Sequence, residues 1–322
     1  RAASDEINYR RFFDINDMAA IRIEHIEVFQ KTHQLTFKLL GEGKISGLRI
    51  DHPDGLWNPK VYFQQLQEEY IVSRLKQHFP EEEIDIDRIR ERLIDLIQDD
   101  EAATWPLYVL AEKILSETEP LPYDWSVYGT TGYDFMIAVT NLFVDSVNEQ
   151  AFNTLYRDFV GREVNFHEIV DMSKKRIMND TLNSELYARS SQLADIVEQN
   201  RRYRGFTRHS IEHALIEITA ALSIYRTYIT AEEPVSDRDR YYIDEAVRIA
   251  KEQNPRSPSY VFDFVRDVLL LDIFDEFDES LHEDLREFVM QYQQMTGPVM
   301  AKSVEDTTFY IYNRLTSLNE VG

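Results

Sequence analysis

The sequence predicts an α/β protein: parallel strands connected by helices, with a large, mostly helical insertion. Three observations carry that reading. First, Ile45–Ile50 and Leu107–Glu112 are short apolar runs of strand length, the first preceded by the breakers Gly41 and Gly43. Second, amphipathic helices alternate with them, over Glu24–Leu40 and from Asn58 to about His78, in the rhythm of a parallel barrel or an open sheet. Third, only Gly161 and Gly205 interrupt the stretch from Asn148 to Glu217, and no proline does. So long a helical stretch fits an insert better than further strand–helix units.

In chain order, the first helix carries Ile26, Phe29 and Leu40 on its apolar side, with Gly41 as its expected stop. The second has Asn58 as cap and Pro59 at its first position, where a missing N–H costs nothing. Val61, Tyr62, Leu66, Tyr70 and Leu75 continue its apolar stripe. Residues 80–105 look inserted, with a solvated acidic run at Glu81–Glu83 and a short amphipathic helix over Asp87–Gln98. A turn at Gly129-Thr-Thr-Gly132 leads into a helix beginning near Phe135. Asn165 caps a helix with an acid three residues on, Glu168, and that helix could run to about Asn200. Leu222–Ile229, β-branched and aromatic, reads as a third strand, and 298–303 as a fourth. Asp237–Gln253, Ser257–Leu271 and Glu279–Gln294 read as amphipathic helices.

Composition excludes several functions. The 322 residues carry a net charge of −23, which a nucleic-acid or anionic membrane surface would repel. With no cysteine there can be neither disulfides nor thiolate metal sites. No apolar run approaches the ~20 residues of a membrane span; Val268–Leu271 is framed by Asp267 and Asp272. No signal peptide is visible and Arg1 stands where an initiator Met would, so a cytoplasmic protein whose first residue is not a natural start is expected.

The chemistry concentrates at two strand ends. Strand alternation puts Arg49 and Asp51 on one side and Leu48 and Ile50 on the other. An arginine two residues before an aspartate keeps the carboxylate ionised and fixes its rotamer, as a carboxylate nucleophile requires. The same pair could equally end a barrel strand as a structural ion pair. Glu112 leaves an apolar strand, and desolvation there suits a general acid; an edge ion pair with Lys113 is the structural alternative. Neighbouring parallel strands bring their C-terminal ends to one face, and two carboxyls ~5–5.5 Å apart form the retaining glycosidase arrangement. The run Asn8–Asp17 mixes Phe12, Phe13 and Tyr9 with Arg10, Arg11 and two aspartates, a composition suited to a sugar surface or, more simply, to core rings beside an ion pair. His209-Ser-Ile-Glu212-His213 has the form of an inverted zinc-peptidase motif, but such a site needs a third protein ligand, and glutamate and histidine are common on solvated helices. No metal is expected there.

Gly47-Leu-Arg-Ile-Asp51 resembles the nucleophile strand of the α-amylase superfamily, whose pattern is Gly-x-Arg-x-Asp. Three later blocks, Glu112-Lys-Ile-Leu, Leu121-Pro-x-Asp-Trp125 and Gly129-Thr-Thr-Gly-Tyr-Asp-Phe135, resemble in order those of one branch, maltooligosyl trehalose synthase. Tyr225-Arg-Thr-Tyr228 resembles a further family strand, with Ser223 where proline is expected. Gly297-Pro-Val-Met-Ala-Lys-Ser-Val-Glu-Asp306-Thr resembles the block bearing the third catalytic carboxylate. The chain departs from the superfamily in having no Asn-His dipeptide and a 61-residue step from Asp51 to Glu112.

The resemblance implies a partial (β/α)8 TIM barrel, about strands four to seven, with a large, mostly helical insertion. It divides the chain into a barrel segment at 1–146, a helical subdomain at 147–216 and a barrel segment with helical elaboration at 217–322. The implied enzyme is a (1→4)-α-D-glucan 1-α-D-glucosylmutase of trehalose biosynthesis, an isomerase using retaining intramolecular transglycosylation. In it Asp51 is the nucleophile, Glu112 the acid/base and Asp306, rather than Glu305, the third acid. Arg49, His52, Lys113, Trp125, Tyr133, Asp134, Arg226, Lys302 and Glu305 are implied around the maltooligosaccharide substrate. No cofactor is implied, and the remaining segments of such an enzyme are expected partners. An α-glucan hydrolase and a catalytically incomplete glucan-binding fragment stay open as alternatives.

Overall fold

The computed structural model describes residues 6–79, 81, 85, 87–89, 91–92, 104–116 and 119–321. Most of the helix expected over 87–98 and most of the 80–105 insertion lie outside them. The chain divides into two compact units, one of residues 21–134 and one of residues 1–20 with 135–322.

The 21–134 unit contains the predicted strand–helix–strand. Helix α1 (Ile26–Gly41) is followed by strand β3 (Gly47–Ile50), helix α2 (Pro59–His78), strand β4 (Tyr108–Ala111) and strand β5 (Gly129–Thr130). β3, β4 and β5 form a parallel sheet in that order. Asn58 accepts the Val61 N–H at 3.2 Å, so the predicted cap is made. α1 ends at Gly41, its expected stop, where an added Cβ would lie 3.3 Å from the Ser73 carbonyl of α2. The left-handed turn falls two residues later, at Gly43. Phe29, Phe37 and Leu40 of α1 and Tyr62, Phe63 and Leu66 of α2 are buried, as are Val109 and Ala111 of β4.

Two features lock this sheet. Gly47 faces Tyr108, and a Cβ there would come within 2.8 Å of the Tyr108 carbonyl oxygen, so the strands pair this closely because Gly47 has no side chain. Gln67, buried on α2, donates to the carbonyls of Leu107 (3.0 Å) and Ser126 (2.9 Å) and accepts the Leu107 N–H at 2.8 Å. It satisfies backbone groups at the entry to β4 and in the segment leading to β5 that would otherwise each cost roughly 1–3 kcal/mol.

The other unit opens with a two-stranded hairpin, β1 (Arg11–Phe12) and β2 (Ile15–Ala19). Arg11 is buried and forks onto Glu185 through two 2.7 Å bonds, so it ties the hairpin to the helices and is not a sugar-facing residue. Helices α4 (Glu149–Val160), α5 (Phe166–Asn179), α6 (Asn183–Glu198), α7 (Arg208–Ala221), α8 (Asp237–Gln253), α9 (Ser259–Leu269) and α10 (Glu279–Met300) follow α3 (Tyr133–Asn141). Asn165 accepts from the His167 and Glu168 amides as its capping position predicts. The single helix expected from there to Asn200 is broken between Asn179 and Asn183. One hydrophobic core runs from Met178 to Val299, through both the expected insert and the expected second barrel segment.

Neither later strand forms. Residues 222–229 are irregular and mostly buried, with Ser223 exposed, and helix side chains satisfy their backbone where a partner strand would. Lys174 donates to Leu222 O at 2.6 Å, Asp239 accepts the Tyr228 N–H at 3.2 Å, and Gln293 bonds both N–H (2.7 Å) and O (2.9 Å) of Ile229. Residues 298–303 belong to α10 and to the π-helical turn Ala301–Thr308 that continues it past Pro298. The cause is visible in Leu281, Leu285, Phe288, Tyr292, Met295 and Val299, whose alternating four- and three-residue steps carry one buried stripe through Pro298. Among the described residues no helix is long and apolar enough to cross a membrane.

Two measurements test this packing. Gly47→Ala should cost roughly 1–3 kcal/mol in urea unfolding, whereas Gly205→Ala, where a Cβ meets nothing within 4 Å, should cost much less; equal effects would mean that strand approach is not limiting. His33 of α1 bonds the Phe29 carbonyl (2.9 Å) and the Tyr62 hydroxyl (2.8 Å), and burial lowers its pKa. The unfolded chain, with a histidine pKa near 6.5, therefore takes up the proton first as pH falls. Stability present above about pH 6.5 drains away through the depressed folded value. His33→Gln should show a smaller fall in Tm between pH 7.5 and 5.5 than the parent.

Candidate active site

The site is built by register. β3 and β4 pair in parallel with Ile50 opposite Ala111, so the next residues, Asp51 and Glu112, leave adjacent strands at the same level. The ladder continues one step, because the Glu112 N–H donates to the Ile50 carbonyl at 2.8 Å. Val109 and Ala111 are buried, while Arg49, Tyr108 and Asp51 lie on the accessible side, as period-two alternation requires.

On that side Arg49 Nη1 donates to Asp51 Oδ1 at 2.6 Å, with both side chains more than half exposed (54% and 63%). The Asp51 carboxylate, first among several neighbours, raises the Arg49 guanidinium above its ordinary value; Glu112 and Tyr133 add to the effect. Glu112 is half-buried and accepts two hydrogen bonds: the His52 main-chain N–H reaches Oε2 at 2.7 Å, and the Tyr133 hydroxyl reaches Oε1 at 3.2 Å. In this arrangement His52 lies in the left-handed region, at φ 48° and ψ 53°, which costs a residue other than glycine roughly 1–2 kcal/mol. Tyr133 is delivered by the Thr131–Gly132 bend after β5, and Asp134 beside it accepts from Thr130 Oγ1 at 2.9 Å. Arg49, Asp51, His52, Glu112 and Tyr133 are thus brought together by two strand ends and one turn.

Two expected substrate contacts lie on the buried side of the same unit. Lys113 points away from Glu112, as the residue after it on a strand must. Its ammonium is fully buried, 3.3 Å from Asp54 Oδ2, 3.1 Å from Glu119 Oε1 and 2.8 Å from the Ile114 carbonyl. The expected edge pair Glu112–Lys113 is therefore replaced by a buried Asp54–Lys113–Glu119 triad. Trp125 is a core residue, 3% exposed, its ring 5.1 Å from that of Phe63, so its face is not a sugar platform.

The remaining candidates belong to the helical unit. Asp306 lies on the π-helical turn and accepts from Lys302 at 2.9 Å, and Lys302 also meets Asp14 at 3.3 Å. Glu305 accepts from the Tyr225 hydroxyl at 2.7 Å. Arg226 is wholly buried, donating to the Thr227 carbonyl at 2.9 Å. In the His209–His213 motif Glu212 pairs with Arg208 and His213 bonds Ser257 at 3.1 Å. Among the described residues no group of three or more histidine or acidic side chains is arranged to hold a metal ion.

Sequence reasoning missed β5, Gln67, the left-handed His52 and the Lys113 triad. The glycine-flanked Gly129-Thr-Thr-Gly132 was a signal for a turn but too short to signal a strand. It also missed a groove of about 540 Å³ in the helical unit, bordered by Tyr156, Phe166, Tyr312 and Arg314, which no local pattern marks.

No protein-family model matches the chain. A putative maltooligosyl trehalose synthase of Mycobacterium tuberculosis is 24% identical over 314 residues, 98% of this chain and 33% of that protein. The maltooligosyltrehalose synthase of Arthrobacter ramosus superposes with a TM-score of 0.75 at 31% identity, over 100% of this chain and 34% of that one. A hypothetical maltooligosyl trehalose synthase of Sulfolobus tokodaii does so with a TM-score of 0.64 at 27% identity, over 99% and 33%. The chain spans about a third of the length of these proteins. By sequence and by fold the chain is similar, along its whole length, to a third of each of these maltooligosyl trehalose synthases.

Proposed function

We propose that this protein performs retaining intramolecular glucosyl transfer, converting the reducing-end α-1,4 linkage of a maltooligosaccharide to the α,α-1,1 linkage of maltooligosyl trehalose. The observation that carries the reading is the pairing of Ile50 with Ala111, which sends two carboxylates from neighbouring parallel strands at one level. β3, β4 and β5 are read as strands of a (β/α)8 barrel whose other strands would correspond to parts of the relatives outside the third that this chain spans.

In the first step Asp51 attacks the anomeric carbon of the penultimate glucosyl unit while Glu112 gives its proton to the departing O4 of the terminal glucose. A glucosyl ester on Asp51 results. The freed glucose turns within the site, and Glu112, now a carboxylate, takes the proton from its anomeric hydroxyl. That oxygen attacks the ester carbon, Asp51 leaves and the 1,1 bond forms. Water is neither consumed nor released, so the site must exclude it. Arg49 holds the Asp51 rotamer through its 2.6 Å bond. The His52 amide and Tyr133 hydroxyl hold the two Glu112 oxygens. Asp306 is assigned to the positive charge developing on the sugar ring, with Lys302 orienting it.

Incubation with maltopentaose distinguishes the readings. Isomerisation lowers reducing power without adding chains, while a rise in reducing ends means hydrolysis. Glu112→Gln should lower kcat by about 10²–10⁴, and Asp51→Asn should remove the covalent route. Equal binding of maltopentaose by the parent and Asp51→Asn, with neither active, would instead favour a glucan-binding role.

A further inference from the structure

Glu112 and Lys113 are consecutive, yet each grips the same short turn from a different side of the strand. Glu112 Oε2 takes the His52 amide at 2.7 Å, on the accessible face. Lys113 Nζ takes Asp54 Oδ2 at 3.3 Å, on the buried face. Between them run His52, in the left-handed region, and the single 3-10 turn Pro53–Gly55, closed by the Gly55 N–H on the His52 carbonyl at 2.9 Å. The loop is therefore covalently and electrostatically closed: Glu112, His52, Asp54, Lys113 and back to Glu112.

We propose that the buried Asp54–Lys113–Glu119 triad positions the acid/base carboxylate, by pinning the Pro53–Gly55 turn so that the His52 amide stays aimed at Glu112. The proposal rests on the reading of Glu112 given above. Left-handed backbone at a histidine relaxes toward extended structure unless its surroundings over-determine it. Release of the turn that follows His52 would free the Asp51–His52 peptide plane, which carries this N–H, to rotate off the carboxylate. What opposes it is Asp54 two residues on, whose side chain is 6% exposed and tied to an ammonium that is 0% exposed. Glu119, also 0% exposed, supplies the second negative charge and accepts the Ser116 N–H at 3.1 Å, so Lys113 is fixed from two elements. Without the lysine charge, two buried carboxylates would face each other, and the turn would be the most direct part to give way. Lys113 is thus a positioning residue, which explains why the lysine beside the acid/base is buried and not in a sugar site.

Uniform ¹⁵N-histidine labelling of the chain gives eight amide signals, one per histidine. The His52 signal is identified by its loss in His52→Asn. An amide donated to a carboxylate is shifted downfield, so Glu112→Gln should move it upfield. Asp54→Asn, which preserves volume, should move the same signal in the same direction and speed its hydrogen exchange, although residue 54 does not touch that amide; the other seven signals should stay in place. Lys113→Met should do so more strongly. An unmoved His52 signal in Asp54→Asn overturns the proposal, and so does simultaneous loss of all eight, because the triad would then hold the fold and not the turn. Where turnover of maltopentaose is measurable, Asp54→Asn should lower kcat with little change in KM, and an equal rise in KM alone would contradict positioning. The amide measurement needs no substrate, so it stands or falls separately from the transferase reading.

Discussion

The close parallel approach of β3 and β4 is the constraint from which the rest of the site follows. It exists because Gly47 presents no Cβ to the Tyr108 carbonyl. That contact fixes Ile50 opposite Ala111, and the register then places Asp51 level with Glu112. A slip of one residue would send one of the two acids to the buried face, since strand side chains alternate with period two. Gln67 supports the sheet from behind by bonding the backbone that enters β4 at Leu107 and the backbone that leads into β5 at Ser126. The candidate active site is therefore a consequence of backbone geometry, supported from α2, before any side chain contributes.

The two faces of β4 divide the electrostatic work. On the accessible face Arg49 and Asp51 pair with both side chains in contact with solvent, where ion pairs are weak but adjustable. On the buried face Lys113 sits between Asp54 and Glu119 with no solvent to replace either partner. Buried ion pairs of this kind are weak evidence for stability, and their best-supported use is to fix one arrangement among several. A chain with a net charge of −23 has acids in plenty; a buried lysine is the scarcer element, and here it lies next to the acid/base candidate.

What could be read from the sequence depended on whether local pattern and tertiary context agreed. At Ile45–Ile50, Leu107–Glu112 and Asn58–Pro59 they agree, and strands, cap and both acids were legible. At Leu222–Ile229 the β-branched, aromatic composition is genuine, but the segment lies among helices whose Lys174, Asp239 and Gln293 side chains take its backbone bonds. A sequence pattern reports that such a segment is buried, not what pairs with it. At 298–303 the helical stripe Leu281–Val299 runs through Gly297-Pro298 into the stretch that resembles a family strand, and the tertiary packing of that stripe decides for helix. Contacts that join distant residues, such as Arg11 with Glu185 or Lys113 with Asp54, leave no local signature.

The central claim is geometric: two carboxylates, carried by paired parallel strands, flank one glycosidic bond on the same face. A crystal structure of the protein with a bound maltooligosaccharide measures it directly. The account requires Asp51 and Glu112 on either side of the scissile linkage with their carboxyls about 5–5.5 Å apart. A separation of about 6.5–9.5 Å, leaving room for a water, or a sugar bound away from both acids, would contradict it.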